Sequence, residues 1–291
     1  MTLSVKQQYD EQGYVIIPQL IALEDWKNLE AACKQAVDRT RKGDWPYRRT
    51  VGKQFPPYGQ DDPDSWGVQH VMHPELGEPA FAKWYTSEKV LGVVEQLLEC
   101  EIQDLQMELF NLLINPEAHD FALRWHRDDV PENASTEEEI KALDVWHFGV
   151  QWNTAIYRDA CLYIVPGSHL VPRTQEQRIH SSGQIPKDPL AMPGAVQVVL
   201  EPGETVFYNS NILHCAAYSS QNKRATLHAC MGNSQGGSSR ARNILQHGLE
   251  WMKTPAFKAS LPDNVGVGML DKLIEMYDSS ASEDVAYSLK N

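Results

Sequence analysis

The sharpest local feature of the sequence is Arg124-Trp-His-Arg-Asp-Asp129. Side chains at i and i+2 of an extended segment leave by the same face, so His126 and Asp128 can converge on one ion while Asp129 points away. A His-x-Asp triplet says little by itself in an acidic chain with 10 histidines. His214 lies 88 residues further on, at the end of Pro202-Gly-Glu-Thr-Val-Phe-Tyr-Asn-Ser-Asn-Ile-Leu-His214, where a tight turn leads into an apolar strand. Arg224 follows ten residues later and opens the next β-like run, beyond the turn Ser219-Ser-Gln-Asn-Lys223. Each has a plain reading alone, His214 as a satisfied core histidine and Arg224 as a surface residue on a hairpin. Together they mean more. Two imidazoles and one carboxylate on adjacent strands make the facial triad that holds Fe(II) and leaves the opposite positions open for a bidentate cosubstrate and O2. A guanidinium on the neighbouring strand offers a planar fork to the far carboxylate of a keto-diacid. That partner also explains an inward-pointing arginine, since a buried unpaired charge is costly.

Such residues meet only if strands carry them. From residue 102 onward, short β-rich runs alternate with turn signals: Leu105–Ile114, Val145–Ile156, Leu162–Val165, Val196–Leu200, Thr205–Tyr208, Ile212–Tyr218 and Ala225–Met231. Breakers such as Asn115-Pro, Pro166-Gly-Ser, Met192-Pro-Gly and Pro202-Gly-Glu separate them. Many short strands at this spacing predict a barrel or a double-sheet jelly roll. The first hundred residues add helices, one with Leu23, Trp26, Leu29, Cys33, Ala36 and Val37 on a single face and another near Ser87–Glu99. A further helix is expected around Met269–Tyr277. Residues 43–67 read as a long loop, and Gly232 to Gly237 as a flexible one. Val130–Asp144 is an acidic insert in which Ser135-Thr-Glu-Glu138 has the form of a capping box. The expected fold is mainly β with flanking helices around a double-stranded β-helix (jelly-roll, cupin-like) core at about 102–235. Residues 1–291 are expected to form a single domain, with a helical N-terminal support and a C-terminal helical tail.

Composition narrows the function. Of 291 residues, 42% are hydrophobic, and 26 Lys+Arg stand against 39 Asp+Glu, a net charge of −13. Such a surface repels phosphate backbones and anionic lipid, so neither nucleic acid nor membrane is an expected partner. The N-terminus lacks the basic-then-apolar design of a secretion signal. Five scattered cysteines form neither a disulfide framework nor a zinc knuckle, which predicts a reduced, cytoplasmic protein.

At this point the chain resembles the phytanoyl-CoA dioxygenase-like (PhyH) family of Fe(II)/2-oxoglutarate-dependent oxygenases. The resemblance runs from Gly13-Tyr-Val-Ile-Ile-Pro18 through His126-Arg-Asp128 and Asp159-Ala-Cys-Leu-Tyr-Ile-Val-Pro-Gly-Ser-His169 to Pro202-Gly-Glu204, His214 and Arg224. It implies His126, Asp128 and His214 as iron ligands, and Arg224 as the partner of the 2-oxoglutarate C5 carboxylate. It implies Trp152, in Gln151-Trp-Asn-Thr-Ala155, as a wall of the cosubstrate pocket, core packing being the plainer reading. Gln69 or His70 could complete that pocket. His169 is assigned no metal, because the Pro-Gly-Ser-His turn is structural in the family.

The implied activity is that of a dioxygenase using Fe(II), 2-oxoglutarate and O2 to oxidise, by default hydroxylate, a small organic molecule, with release of succinate and CO2. A medium-sized, largely neutral substrate is expected, bound by a monomer or homodimer. The Val130–Asp144 insert and the Trp45–Trp66 loop are expected to form a lid, with Trp45, Tyr47, Trp66 and Trp146 as an aromatic wall. The rivals are a Zn(II)-dependent hydrolase, a non-oxidative cupin-type enzyme and a catalytically silent binding module on the same fold. A zinc hydrolase, however, has no need of a carboxylate clamp at Arg224.

Overall fold

A computed structural model describes residues 3–54, 58, 64–145, 148–245 and 248–279. Its helices are α1 (Val5–Gln12), α2 (Leu23–Arg41), α3 (Pro79–Tyr85), α4 (Glu88–Leu98), α5 (Thr136–Leu143), α6 (Gln175–His180), α7 (Gly237–Leu245), α8 (Pro255–Ser260) and α9 (Asn264–Asp278). Its strands are β1 (Tyr14–Ile17), β2 (Arg48–Thr50), β3 (Ser65–Val68), β4 (Leu105–Ile114), β5 (Phe121–Ala122), β6 (Gly149–Ala155), β7 (Leu162–Ile164), β8 (Val196–Gln197), β9 (Thr205–Tyr208), β10 (His214–Tyr218) and β11 (Ala225–Asn233). They form two antiparallel sheets, β1-β9-β6-β11-β4-β3-β2 and β5-β10-β7-β8. Two facing sheets flanked by helices are the expected jelly roll.

Period two decides what each face of the larger sheet does. Val150 and Trp152 of β6, with Leu227, Ala229 and Met231 of β11, point outward into the main core. There they meet α4, whose Val90, Leu91, Val94, Leu97 and Leu98 are buried at the i, i+1, i+4, i+7, i+8 spacing of one helical face. The alternate residues Gln151, Asn153 and His228 look inward, toward the smaller sheet. The sheet thus has one greasy face for the helices and one polar face for the site.

Several local expectations change. Within the 43–67 stretch, β2 and β3 extend the edge beyond β4, because pairing to a neighbour makes strands of residues that lack alternation. Asn233 still belongs to β11, a short turn follows, and α7 begins at Gly237, so the Gly232–Gly237 segment is structured. Leu23 is 90% exposed at the first position of α2, where the first turn overhangs the core.

The insert forms α5, capped as expected. Ser135 Oγ accepts from Glu138 N–H at 3.2 Å, and the Glu138 carboxylate accepts from Ser135 N–H at 2.8 Å. No described residue of 130–144 lines the cavity between the sheets, so the insert is not the expected lid. Its Glu139 is fully buried and accepts from Arg127 Nε at 2.9 Å, Arg173 Nε at 3.0 Å and Arg178 Nη2. Three guanidiniums hold the helix on the body of the protein.

The Pro-Gly-Ser-His turn is structural too. His169 Nε2 donates to the Asp10 carbonyl at 2.9 Å, and the ring packs on Gly13. Gly13 has φ 78° and closes α1, and a Cβ there would stand 2.5 Å from His169 Nδ1. Gly13→Ala is therefore expected to cost about 1–3 kcal/mol in urea unfolding, strain and overlap adding.

Candidate metal centre and its cavity

His126 and His214 face each other across an isolated antiparallel bridge. The N–H of each donates to the carbonyl of the other, at 2.9 and 3.0 Å. Asp128 lies in a bend beyond this bridge rather than in a regular strand, and its N–H donates to the Ser210 carbonyl at 2.9 Å. The i, i+2 spacing still brings both side chains to one face. Ligand atoms of His126, Asp128 and His214 all lie within 4.8 Å of one another. Asp128 Oδ1 stands 3.6 Å from His126 Nε2 and 3.7 Å from His214 Nε2.

Backbone geometry also sets the tautomers. The Arg124 carbonyl accepts from His126 Nδ1 and the Ile212 carbonyl from His214 Nδ1, both at 2.8 Å. Each ring then turns its Nε2 lone pair toward Asp128, the arrangement in which histidine binds a metal. Burial lowers both imidazoles to about 4, for His126 with help from the neighbouring His214, so both are neutral near pH 7. Burial raises the Asp128 carboxyl to about 6, which marks a charge that wants a cation. Gln151 Nε2 donates to Asp128 Oδ2 at 2.5 Å and fixes the carboxylate plane. Asp129 lines the same cavity but stands outside the cluster, and it accepts from Ser210 Oγ at 2.9 Å.

The three residues open into a cavity of about 490 Å³ between the sheets, and Arg224 lines the same cavity. Its Nε donates to Asp159 Oδ2 at 2.9 Å, and its guanidinium carbon lies 4.6 Å from the Tyr218 ring centroid. Burial would raise the Asp159 carboxyl, but Arg224, the Thr226 hydroxyl and the Cys161 N–H hold it below the usual range. Nη1 of Arg224 is buried and has no hydrogen-bond partner. An orphaned cationic donor in a cavity fits a ligand carboxylate.

Gln69, His70, Tyr47 and Trp66 line the cavity as well. Trp45 is buried in the main core, and Trp146 lies outside the described residues. Trp152, expected to line the cavity, does not. It is fully buried on the opposite face of β6, stacked on Tyr85 at 5.9 Å between ring centroids and 5.4 Å from Phe207. The resemblance led to the right strand and the wrong neighbour, since a shift of one residue reverses the face. Gln151 and Asn153, flanking it, are the cavity residues. Sequence reading also passed over Asn111 and His228, which oppose each other in the β4–β11 register, with Asn153 beyond. Nδ1 of His228 is 2.9 Å from Asn153 Oδ1. Their signal was a polar residue inside each of three apolar strands.

The sequence matches the phytanoyl-CoA dioxygenase (PhyH) family over residues 9–225. The chain belongs to that family. This PhyH member is accordingly a 2-oxoglutarate-dependent oxygenase, with Fe(II), 2-oxoglutarate and O2 as its cofactors. No curated protein matches its sequence. Among solved structures it is similar to AviO1 from Streptomyces viridochromogenes, at 15% identity and TM-score 0.56 over 79% of this chain and 93% of that one. It is also similar to EctD from S. alaskensis with 2-oxoglutarate and 5-hydroxyectoine, at 14% identity and TM-score 0.56 over 79% and 75%. A third is the epimerase SnoN in complex with Fe3+, alpha ketoglutarate and nogalamycin RO, at 18% identity and TM-score 0.54 over 79% and 82%. At these identities the likeness is one of fold. Among the described residues, no helix of the PhyH member is long and apolar enough to cross a membrane.

Proposed function

We propose that this PhyH member hydroxylates a small organic molecule, with release of succinate and CO2. His126, Asp128 and His214 hold Fe(II), and Arg224 receives the C5 carboxylate of 2-oxoglutarate. Bound iron and cosubstrate together supply an oxidant made from O2. The chain's own residues do the rest. The two Nδ1 bonds to backbone carbonyls keep both imidazoles neutral and aimed, and Gln151 keeps the carboxylate in place. Asp159 neutralises Arg224 from behind and leaves its Nη1 edge turned to the ligand. The cavity of about 490 Å³ between the sheets receives cosubstrate and substrate side by side.

The single observation that carries this reading is the buried, unpartnered Nη1 of Arg224 in one cavity with the His-Asp-His cluster. Zinc hydrolysis would use the cluster and leave Arg224 without a purpose. Hydroxylation is preferred over halogenation because Asp128 occupies the place where halogenating relatives carry a small residue. One of the similar folds is an epimerase, so the reaction outcome is expected to depend on where the substrate sits.

The test is the visible spectrum of the anaerobic protein on adding Fe(II) and then 2-oxoglutarate. A weak metal-to-ligand charge-transfer band is expected in the wild type. In Arg224→Lys, which keeps the charge beside Asp159 but loses the fork, half-saturation of that band is expected to need roughly tenfold to a hundredfold more 2-oxoglutarate. Absence of the band with tight zinc binding overturns the oxygenase assignment, and an unchanged requirement in Arg224→Lys overturns the pairing.

A further inference from the structure

Besides Arg224, the arginines Arg48, Arg49 and Arg240 line the cavity; Arg240 pairs with Glu108, while Arg49 is used by neither metal nor cosubstrate. Arg49 lies on the edge strand β2, its stem passing over Gly67 of β3, where a Cβ would sit 3.1 Å from Arg49 Cδ. The missing side chain makes room for the arginine to lie across the strand into the inter-sheet space. Its guanidinium carbon is 5.0 Å from the Trp66 ring centroid and 6.0 Å from that of Tyr58, a cation held on two aromatic rings. Its Nε is buried without a hydrogen-bond partner, and no described carboxylate pairs with it. Neighbouring Arg48, by contrast, donates to Ser65 Oγ at 2.9 Å. Arg49 lines the same cavity as His126, Asp128, His214 and Arg224.

2-Oxoglutarate carries two carboxylates. One chelates the metal and the other falls to Arg224, so both are accounted for. A cation placed in an aromatic wall and left unpaired costs stability unless something pairs it. A planar guanidinium fork matches the geometry of a carboxylate. We propose that Arg49 receives a carboxylate of the substrate, and that the molecule oxidised is an organic acid whose apolar part lies against Trp66, Tyr58, Leu113 and Leu123. This rests on reading the cavity as an oxygenase site, and it replaces the neutral molecule expected from the acidic surface. Remote surface charges are screened over about 8 Å at physiological salt, whereas a half-buried cation in the cavity is screened much less.

The test is calorimetric binding of benzoate, phenylacetate and octanoate, each beside its primary amide, to the anaerobic protein saturated with Fe(II) and 2-oxoglutarate. At least one acid is expected to bind tenfold or more tightly than its amide. That preference should vanish in Arg49→Met and return in part in Arg49→Lys, while the 2-oxoglutarate requirement of the charge-transfer band stays within twofold in both. Equal binding of acid and amide, or binding of neither at millimolar concentration, overturns the proposal. So does an acid that 2-oxoglutarate displaces, or an Arg49→Met protein that needs more 2-oxoglutarate instead. If the wild type shows no band, the oxygenase reading has failed, and the acid-over-amide preference is still measurable on the iron-free protein.

Discussion

Asp128→Ala is expected to abolish iron retention and turnover while leaving the fold in place. The carboxylate is the only oxygen donor of the cluster, and its Oδ1 stands within 3.7 Å of both imidazole Nε2 atoms. Losing a metal-site partner outside the ligand set costs about tenfold to a hundredfold in affinity, and loss of a ligand itself costs more. Unfolding should separate the two roles of the residue. Burial raises the metal-free carboxyl to about 6, so near neutral pH its charge opposes folding until a cation arrives. The sign follows from that direction. A carboxyl raised in the folded state weakens the metal-free protein as pH climbs from its unfolded value through about 6. The metal-free variant should therefore melt no lower than the metal-free wild type at pH 7.5. Fe(II) at a hundredfold excess over its Kd should stabilise the wild type by about 2.7 kcal/mol and the variant hardly at all. Equal stabilisation of both proteins by Fe(II) in anaerobic thermal melts would falsify the assignment of Asp128 as a ligand.

The second large effect belongs to a residue outside the cavity. Glu139→Gln removes the one carboxylate shared by Arg127, Arg173 and Arg178, leaving guanidinium charge buried without a counter-ion. Breaking such a cluster from one side costs about 3–5 kcal/mol. The loss should reach the metal centre, because Arg127 sits in the chain between His126 and Asp128. Its guanidinium donates to the carbonyls of Ser168 at 2.6 Å, of Val171 at 3.0 Å and of Asn211. These bonds tie the His-x-Asp segment to the 168–171 turn and to Asn211, three residues before His214. Fe(II) affinity is expected to fall about tenfold to a hundredfold, as for other supports of metal ligands. Urea denaturation at constant m-value reads the first effect and anaerobic Fe(II) titration the second. A shift under about 1 kcal/mol would mean that the cluster is decorative.

The elements read best from sequence are those whose own periodicity settles their burial. The strands Leu105–Ile114 and Thr205–Tyr208 appear with the expected bounds, and a helix forms near Ser87–Glu99 as expected. The capping box at Ser135 was visible in four residues because the bond it makes spans three. The His-x-Asp pair is similarly local, since the i, i+2 rule holds for an extended bend as it does for a strand. His214 and Arg224 were legible as members of a set, their spacing carrying the adjacent-strand argument.

Tertiary structure decided everything that depends on a partner distant in the chain. Alternation says that Gln151 and Trp152 look opposite ways, but only α3 and α4 on one side of the sheet, and the metal cluster on the other, say which way is which. Asp159 stands in a recognisable motif, yet its bond to Arg224 spans 65 residues and leaves no trace in local pattern. Val130–Asp144 has the composition of a solvated lid, and it is the buried meeting of Glu139 with three arginines that makes it a strut. Only the edge pairing of β2 and β3 turns Arg49 onto Trp66 inside the cavity. Sequence by itself determined the donor atoms and the periodic faces, because these follow from side-chain chemistry and backbone repeat. Which faces enclose the cavity, and which charges find counter-ions, were decided by long-range packing, where the energy lies between residues that the chain keeps far apart.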